Sequence, residues 1–453
     1  MPWKARDPMP TIRLAHAGAA ARFRAAPHDV WQRFEAFDNL PFGSDTVERT
    51  VLRSGKSSYL RTYEQNLGVV EELLNKSPGL LRYRARRPGG SAAQDADVAV
   101  RVSQDDDGSL VTWSAEFVAA SGDARRRERL ESHFAKRLEA AGGVPLAPLR
   151  IDVAIGAYTP ITRTDLSGSR ATWSATTATL ISGERDAILV DALMTSAEAD
   201  SLIEWVRGTK RRLTTVIVTQ GQADHFYGLS SVLQAFPDAV ALATPGVAEY
   251  ARRQVAPEFV NRWRTLFPSQ LPNTLTAPIG VGPAAMSLEG HTIQLFDVGT
   301  IAGRPTSVVS VRDLDTVISG DLLYNGVHPW LVNTKPRERA SWSKAMDIIE
   351  ALRSSWAIAG HRDPLAVTDA APLQIAFVRN YLEFFEHASA ESVSAQALVA
   401  SMQRRFPELG NAATLHASAV AQFIGDDHAL VEADFPDLLP PAIDPLGKDA
   451  EPS

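Results

Sequence analysis

Four short apolar runs in the later part of the chain each close on an acid or an imidazole, and this pattern constrains the fold most. Ala187-Ile188-Leu189-Val190 ends at Asp191, and Leu213 to Val218 leads into Thr219-Gln220-Gly221-Gln222-Ala223-Asp224-His225-Phe226-Tyr227-Gly228. Thr316-Val317-Ile318 runs into Ser319-Gly320-Asp321, and Trp356-Ala357-Ile358 into Ala359-Gly360-His361. Runs this short, apolar throughout and rich in β-branched residues, read as strands buried on both faces. Side chains at strand ends are where a scaffold mounts its chemistry, so Asp224, His225, Asp321 and His361 are expected to converge at one edge of the sheets.

In residue types and order these segments resemble the metallo-β-lactamase superfamily. The segment from Thr219 to Gly228 is similar to its T-H-x-H-x-D-H-x-x-G signature, Asp191 to its "V-D", Gly320-Asp321 to its "G-D" and Gly360-His361 to its "G-H". The resemblance spans about residues 150–430 and implies an αββα sandwich. It also implies a second-metal set of Asp224, His225, Asp321 and His361, complete in this chain. The first-metal set is not complete. Gln220 and Gln222 stand for two of its histidines, and Gly299-Thr300-Ile301-Ala302-Gly303 puts Thr300 where a third is expected. A neutral amide or hydroxyl is a far poorer ligand than imidazole, and there is no cysteine to compensate. The substitutions fall on one metal alone, whereas random decay would strike both. The expectation is therefore at most one divalent metal, zinc first with iron or manganese as alternatives, set against none at all.

With one metal, Asp321 is expected to orient water or take its proton. Tyr324 and His328, in the loop after Asp321, are expected as acid or oxyanion donor, and Tyr227 and Trp330 as substrate contacts. Each of these side chains also has an ordinary packing role as its alternative.

The first part of the chain reads differently. Pro27-His28-Asp29-Val30-Trp31 suits a short helix, with proline and aspartate in its first turn. Strand-like segments follow at Tyr59–Tyr63, Val69–Leu74, Leu80–Arg86, Asp97–Val102 and Leu110–Phe117, the last two joined by the turn Asp105-Asp106-Asp107-Gly108-Ser109. Arg125 to Ala141 carries Leu130, Phe134 and Leu138 at i, i+4, i+8, a helical stripe. Ala26 to Trp31, Val70 to Leu74, Leu81-Arg82-Tyr83 and Val111 to Phe117 resemble START-like helix-grip proteins, including polyketide cyclases. That resemblance implies an α+β domain with an apolar ligand cavity between sheet and helix, its alternative being that Trp31, Tyr83, Trp113 and Phe117 simply fill a core.

The expected organisation is a START-like domain over 11–143, a linker marked by Gly142-Gly143-Val144-Pro145 and Pro148, a metallo-β-lactamase-like domain over 150–430 and a disordered tail over 434–453. Residues 244–276 read as a helical insertion at the site rim. Helices over Pro372–His387 and Ser394–Phe406 are expected to complete the second domain, with a homodimer as a further use.

Composition narrows the function. The 453 residues are 45% hydrophobic and 22% charged, with net charge -7 and no cysteine. Nothing there marks a nucleic-acid or anionic-membrane partner, and no run reaches the roughly 18 apolar residues of a membrane span. A cytoplasmic protein with a small apolar substrate is expected. The function expected first is hydrolysis of an ester, thioester or lactone, making the chain an enzyme. The alternatives are an inactive ligand-binding pseudoenzyme and a cyclase or lyase on a polyketide-like substrate.

Overall fold

A computed structural model describes residues 14–35, 47–53, 58–63, 70–86, 95–118, 124–332 and 334–423. The tail expected from 434 onward lies outside the described residues.

The strand Leu14–Phe23 and the hairpin of Ala96–Asp105 with Gly108–Val118 are three neighbouring strands of an eight-stranded antiparallel sheet. Its order is Val47–Arg53, Ser58–Tyr63, Val70–Ser77, Leu80–Arg86, Ala96–Asp105, Gly108–Val118, Leu14–Phe23, Val144–Pro145. Alternation sends Ala96, Val98, Val100 and Val102 into one core with Phe134 and Leu138 of the helix Ala124–Ala140. Val144 and Pro145, expected as linker, instead pair with Arg22 and Ala21 as a short edge strand. A proline is tolerated at such an edge because no neighbour needs its missing N–H.

An apolar cavity was expected between this sheet and its long helix. Among the described residues that space holds packed rings. Trp113 stacks on Phe134 at 5.8 Å and 11°, and its Nε1 donates to the Tyr83 hydroxyl at 3.0 Å. Phe34 meets Trp113 edge-on, and the Arg137 guanidinium sits 5.0 Å from the Trp113 ring centre. The aromatic residues are core here.

The second part is built of two facing sheets. One has the order Ile279–Gly280, Val240–Ala243, Arg212–Ile217, Asp186–Val190, Thr177–Ser182, Arg150–Ile155. The other has the order Ala284–Leu288, His291–Ile301, Arg304–Val311, Thr316–Asn325, Trp356–Arg362. Ile181, Ile188 and Ile217 of the first meet Val309, Ile318 and Ile358 of the second in an inner core. Their chain neighbours Leu180, Leu189, Val216, Val308, Val317 and Ala357 point the other way, into cores shared with outer helices such as Ser196–Gly208, Pro336–Leu352 and Ala371–Glu391. Burial on both faces explains why these strands are apolar without alternation, and the result is an αββα sandwich. Residues 244–276 do contain two helices, Pro245–Gln254 and Pro257–Leu266. No helix among the described residues is long and apolar enough to cross a membrane.

The two parts meet through polar groups that are buried. Trp356 Nε1 donates to Ser114 Oγ at 2.8 Å, and Arg101 reaches Asp315 Oδ1 at 2.6 Å and Ser355 Oγ at 3.1 Å. Glu116 accepts from the Asp369 backbone N–H and, at 2.7 Å, from Thr368 Oγ1. Asp369 in turn receives Arg362 Nε at 2.9 Å and lies 3.4 Å from His16 Nε2. His16, Glu116 and Asp369 thus form a clasp whose acids already have donors from the protein.

Candidate metal centre

Asp191 organises the site from behind. At φ 62° it sits in the left-handed region that aspartate tolerates better than most residues. Its carboxylate accepts from Thr219 N at 2.8 Å and Thr219 Oγ1 at 2.7 Å, and lies 3.0 Å from His225 Nδ1. Gln222, in extended backbone conformation, precedes the one-turn helix Ala223–Phe226, which carries Asp224 and His225. The turn closes on Gly228, where a Cβ would lie 2.1 Å from the Ala192 carbonyl oxygen, so only glycine fits.

Asp321 and His361 were expected just past their strands. Both lie inside them, in Thr316–Asn325 and Trp356–Arg362, at a stretch where the parallel register slips on either side of Gly320. The slip follows from Gly320 at φ 48°, which breaks the pleat and re-aims the next side chain. Gly360 allows the close approach: a Cβ there would meet the Gly320 backbone at 2.6 Å and Asp321 Oδ1 at 2.9 Å.

The four expected ligands converge. His225 Nε2 is 3.0 Å from Asp321 Oδ1, and His361 Nε2 is 3.3 Å from Asp321 Oδ1 and 3.4 Å from Asp224 Oδ2. Donors of Asp224, His225 and His361 all lie within 4.8 Å of one another, and all four residues are buried. A tetrahedral zinc with bonds of about 2.0–2.1 Å has ligand-to-ligand edges of about 3.3 Å. Asp224, His225 and His361 therefore offer the donor types of a divalent ion within a compatible span, and Asp321 lies against two of them. Asp224 Oδ1 is buried without a hydrogen-bond partner, so that carboxylate keeps an unused acceptor; His361 Nδ1 is unpartnered too, but the cluster is met by the other ring nitrogen, Nε2. Asp191 behind His225 is the outer carboxylate that orients a ligating imidazole.

Electrostatics bind the cluster together. Burial alone disfavours a charged His225, yet the carboxylates of Asp321 and Asp191 hold its pKa well above the usual histidine value. Burial works against the Asp321 charge too, but His225 and His361 keep that carboxyl well below the ordinary range.

The crevice over these ligands is lined by Trp173, Ser174, Gln222, Asp224, Arg304, Asp321, Tyr324, His328, Trp330, His361 and Thr414. It takes in about 280 Å³ with its mouth, but leaves room inside for little more than one ion or water. Tyr324 stacks on His361 at 5.2 Å, and burial, then Asp321, push its hydroxyl well above the usual tyrosine pKa. Burial, then His416, lower His328 to about 3, so its ring is neutral; Nδ1 lies 2.9 Å from the Tyr381 hydroxyl.

Three expected residues lie elsewhere. Tyr227 is a core residue: its hydroxyl donates to the Gln254 carbonyl at 2.5 Å, and it does not line the crevice. Thr300 is exposed, paired with Pro305 in a hairpin. Gln220 turns aside to Thr306 Oγ1 at 3.2 Å, leaving only Gln222 of the three substituted positions on the crevice. Four crevice residues, Trp173, Ser174, Arg304 and Thr414, had no signal in the sequence. Trp173 donates to Asp224 Oδ2 at 2.8 Å, and Arg304 enters from the hairpin that displaces Thr300.

Comparison with known proteins gives two family matches. Residues 171–361 match the family model described as the metallo-beta-lactamase superfamily, and residues 15–142 that of polyketide cyclase / dehydrase and lipid transport. Among solved structures, a metallo-β-lactamase from Pontibacter korlensis is 12% identical, with TM-score 0.38, covering 52% of this chain and 94% of its own. A metallo-β-lactamase family protein from Thermus thermophilus is 16% identical, with TM-score 0.42, over 58% of this chain and 90% of its own. A metallo-β-lactamase from Pseudomonas aeruginosa in its mono-zinc form is 17% identical, with TM-score 0.37, over 52% and 91%. No curated protein matches the chain. In one polypeptide, then, a domain of the polyketide cyclase / dehydrase and lipid transport family precedes a domain of the metallo-β-lactamase superfamily.

Proposed function

We propose that this metallo-hydrolase-like chain hydrolyses an acyl bond (ester, thioester or lactone) in a small, largely apolar molecule, using one divalent metal, zinc first. The observation that carries the reading is that donors of Asp224, His225 and His361 lie within 4.8 Å of one another, with Asp321 Oδ1 3.0 Å from His225 Nε2 and 3.3 Å from His361 Nε2, three ligands and an adjacent carboxylate that leave a position open. A divalent ion held there supplies Lewis acidity toward a carbonyl and lowers the pKa of water.

The chain's own residues divide the remaining work. Asp321 accepts hydrogen bonds from the attacking water and holds it in line. Trp173 fixes the Asp224 carboxylate, and Asp191 fixes the His225 ring, so neither swings when substrate arrives. Tyr324 keeps its proton at any ordinary pH, and its hydroxyl, which accepts from the Trp330 backbone N–H, donates that proton in a hydrogen bond to the oxyanion that develops on the carbonyl. His328 is neutral, a hydrogen-bonding wall rather than a charged acid. In the net reaction water adds across the acyl bond and leaves a carboxylic acid with an alcohol or thiol.

Loading the full chain with zinc, iron or manganese and assaying a panel of acyl esters, thioesters and lactones tests this. Turnover that disappears in His361→Ala supports it, and no cleavage with any metal overturns it. A second reading is a metal-free pseudoenzyme, favoured by the charged His225 ring sitting between Asp191 and Asp321 as a self-contained ion network. Stoichiometric metal in the isolated protein would exclude it.

A further inference from the structure

Arg304 is 2% exposed, yet its Nε and Nη2 are buried without a hydrogen-bond partner. A buried guanidinium with idle donors is costly, because its hydration has been removed and not replaced. Its position is enforced. Ala302 and Gly303, at φ 48° and 79°, make a two-residue turn that pairs Ile301 with Arg304 and starts the next strand on the crevice side. The guanidinium then lies 5.3 Å from the Trp330 ring centre, on the same crevice as Asp224, Asp321 and His361.

The idle atoms share one edge of the guanidinium. Nε–H and Nη2–H point the same way, and this edge grips a carboxylate with two parallel hydrogen bonds. The chain uses that grip elsewhere: Arg84 holds Asp97 through Nε at 2.6 Å and Nη2 at 3.0 Å, and Arg212 holds Asp186 at 2.9 and 3.1 Å. At Arg304 the same edge has no acid. Asp321 is near enough for the arginine's charge to be felt, but it is hydrogen-bonded to His225.

We infer that Arg304, stacked on Trp330, is the receptor for a carboxylate on the substrate, an acyl compound whose apolar body lies in the mouth of the crevice and not in its narrow interior. This rests on the hydrolase reading for the word substrate, while the binding itself does not. A planar monoanion suits the site better than phosphate. The crevice is narrow, and Asp224 and Asp321 repel a second negative charge.

The test measures binding without turnover. Full-length protein, stripped of metal with chelator, is titrated with benzoate, phenylacetate and hexanoate, and with their methyl esters and inorganic phosphate. Binding is read by calorimetry and by quenching of tryptophan fluorescence. At least one carboxylate should bind at least tenfold more tightly than its ester and than phosphate. Arg304→Gln should lose that preference, and Arg304→Lys, a point charge without the fork, should keep only part of it. The wild-type preference for acid over ester needs no variant, so it stands even where Arg304→Gln folds poorly. Equal binding of acid and ester, equal binding of phosphate, or an unchanged preference in folded Arg304→Gln overturns the inference. Because metal and turnover are absent, a failed hydrolysis assay leaves this result untouched, and the reverse holds too.

Discussion

Replacing Glu116 by glutamine should change how stability depends on pH, by an amount the structure specifies. Glu116 is 3% exposed in the clasp between the two domains, and burial, then the Asp369 carboxylate, raise its pKa from an ordinary 4.5 to about 7. Between those values the folded chain holds a proton that the unfolded chain releases. The associated stability is therefore fully present below pH 4.5 and is lost as pH rises through about 7. The span corresponds to about 3 kcal/mol. Glutamine mimics the protonated acid: it can still accept the Asp369 N–H, and it never ionises. Wild type and Glu116→Gln should thus unfold alike near pH 4.5, and the variant should be more stable by up to about 3 kcal/mol at pH 8. Urea unfolding from pH 4.5 to 8, followed by tryptophan fluorescence, reads this directly, because Trp356 sits in the interface. Parallel pH profiles for the two proteins would refute the account of the clasp.

Elemental analysis after incubation with zinc should give at most one tight metal per chain and none in Asp224→Ala; two per chain would overturn the single-site reading. Uptake should weaken as pH falls, because metal must displace the proton held on His225, and calorimetry in buffers of different ionisation enthalpy should detect its release. Asp191→Asn should cost about 10–100-fold in metal affinity by loosening the His225 ring, measured by chelator competition; unchanged affinity would remove Asp191 from the site. Trp113→Ala should destabilise the first domain by about 3–5 kcal/mol in urea unfolding and leave metal content unchanged.

Sequence made the ligands legible because each follows an unbroken apolar run, and such runs announce strands buried on both faces. The sandwich followed from the same signal. What could not be read were consequences of turns. A slipped register at Gly320 keeps Asp321 inside its strand, and the tight turn at Ala302-Gly303 carries Thr300 to the surface and brings Arg304 in. An arginine just after a turn looks like solvent-facing charge, and only three-dimensional packing reveals that it is buried. Tyr227 misled for the complementary reason. Two residues beyond His225 in sequence, it caps the end of the one-turn helix, and its hydroxyl is spent on Gln254. The aromatic residues of the first domain suit a cavity lining and a solid core equally well, and local sequence does not separate the two.

The strand Trp356–Arg362 has one end in each half of the protein's business. Trp356 is hydrogen-bonded to the first domain, and five residues on, about 17 Å along an extended chain, His361 faces the candidate metal. This limits modular exchange. Replacing the front domain with an unrelated one would strip partners from Trp356 Nε1, Asp315 and the Asp369 N–H at once, at about 1–3 kcal/mol for each group left buried. The histidine would then hang from a strand whose other end had lost its anchor. Inheritance of the two domains as a pair is what such a splint demands.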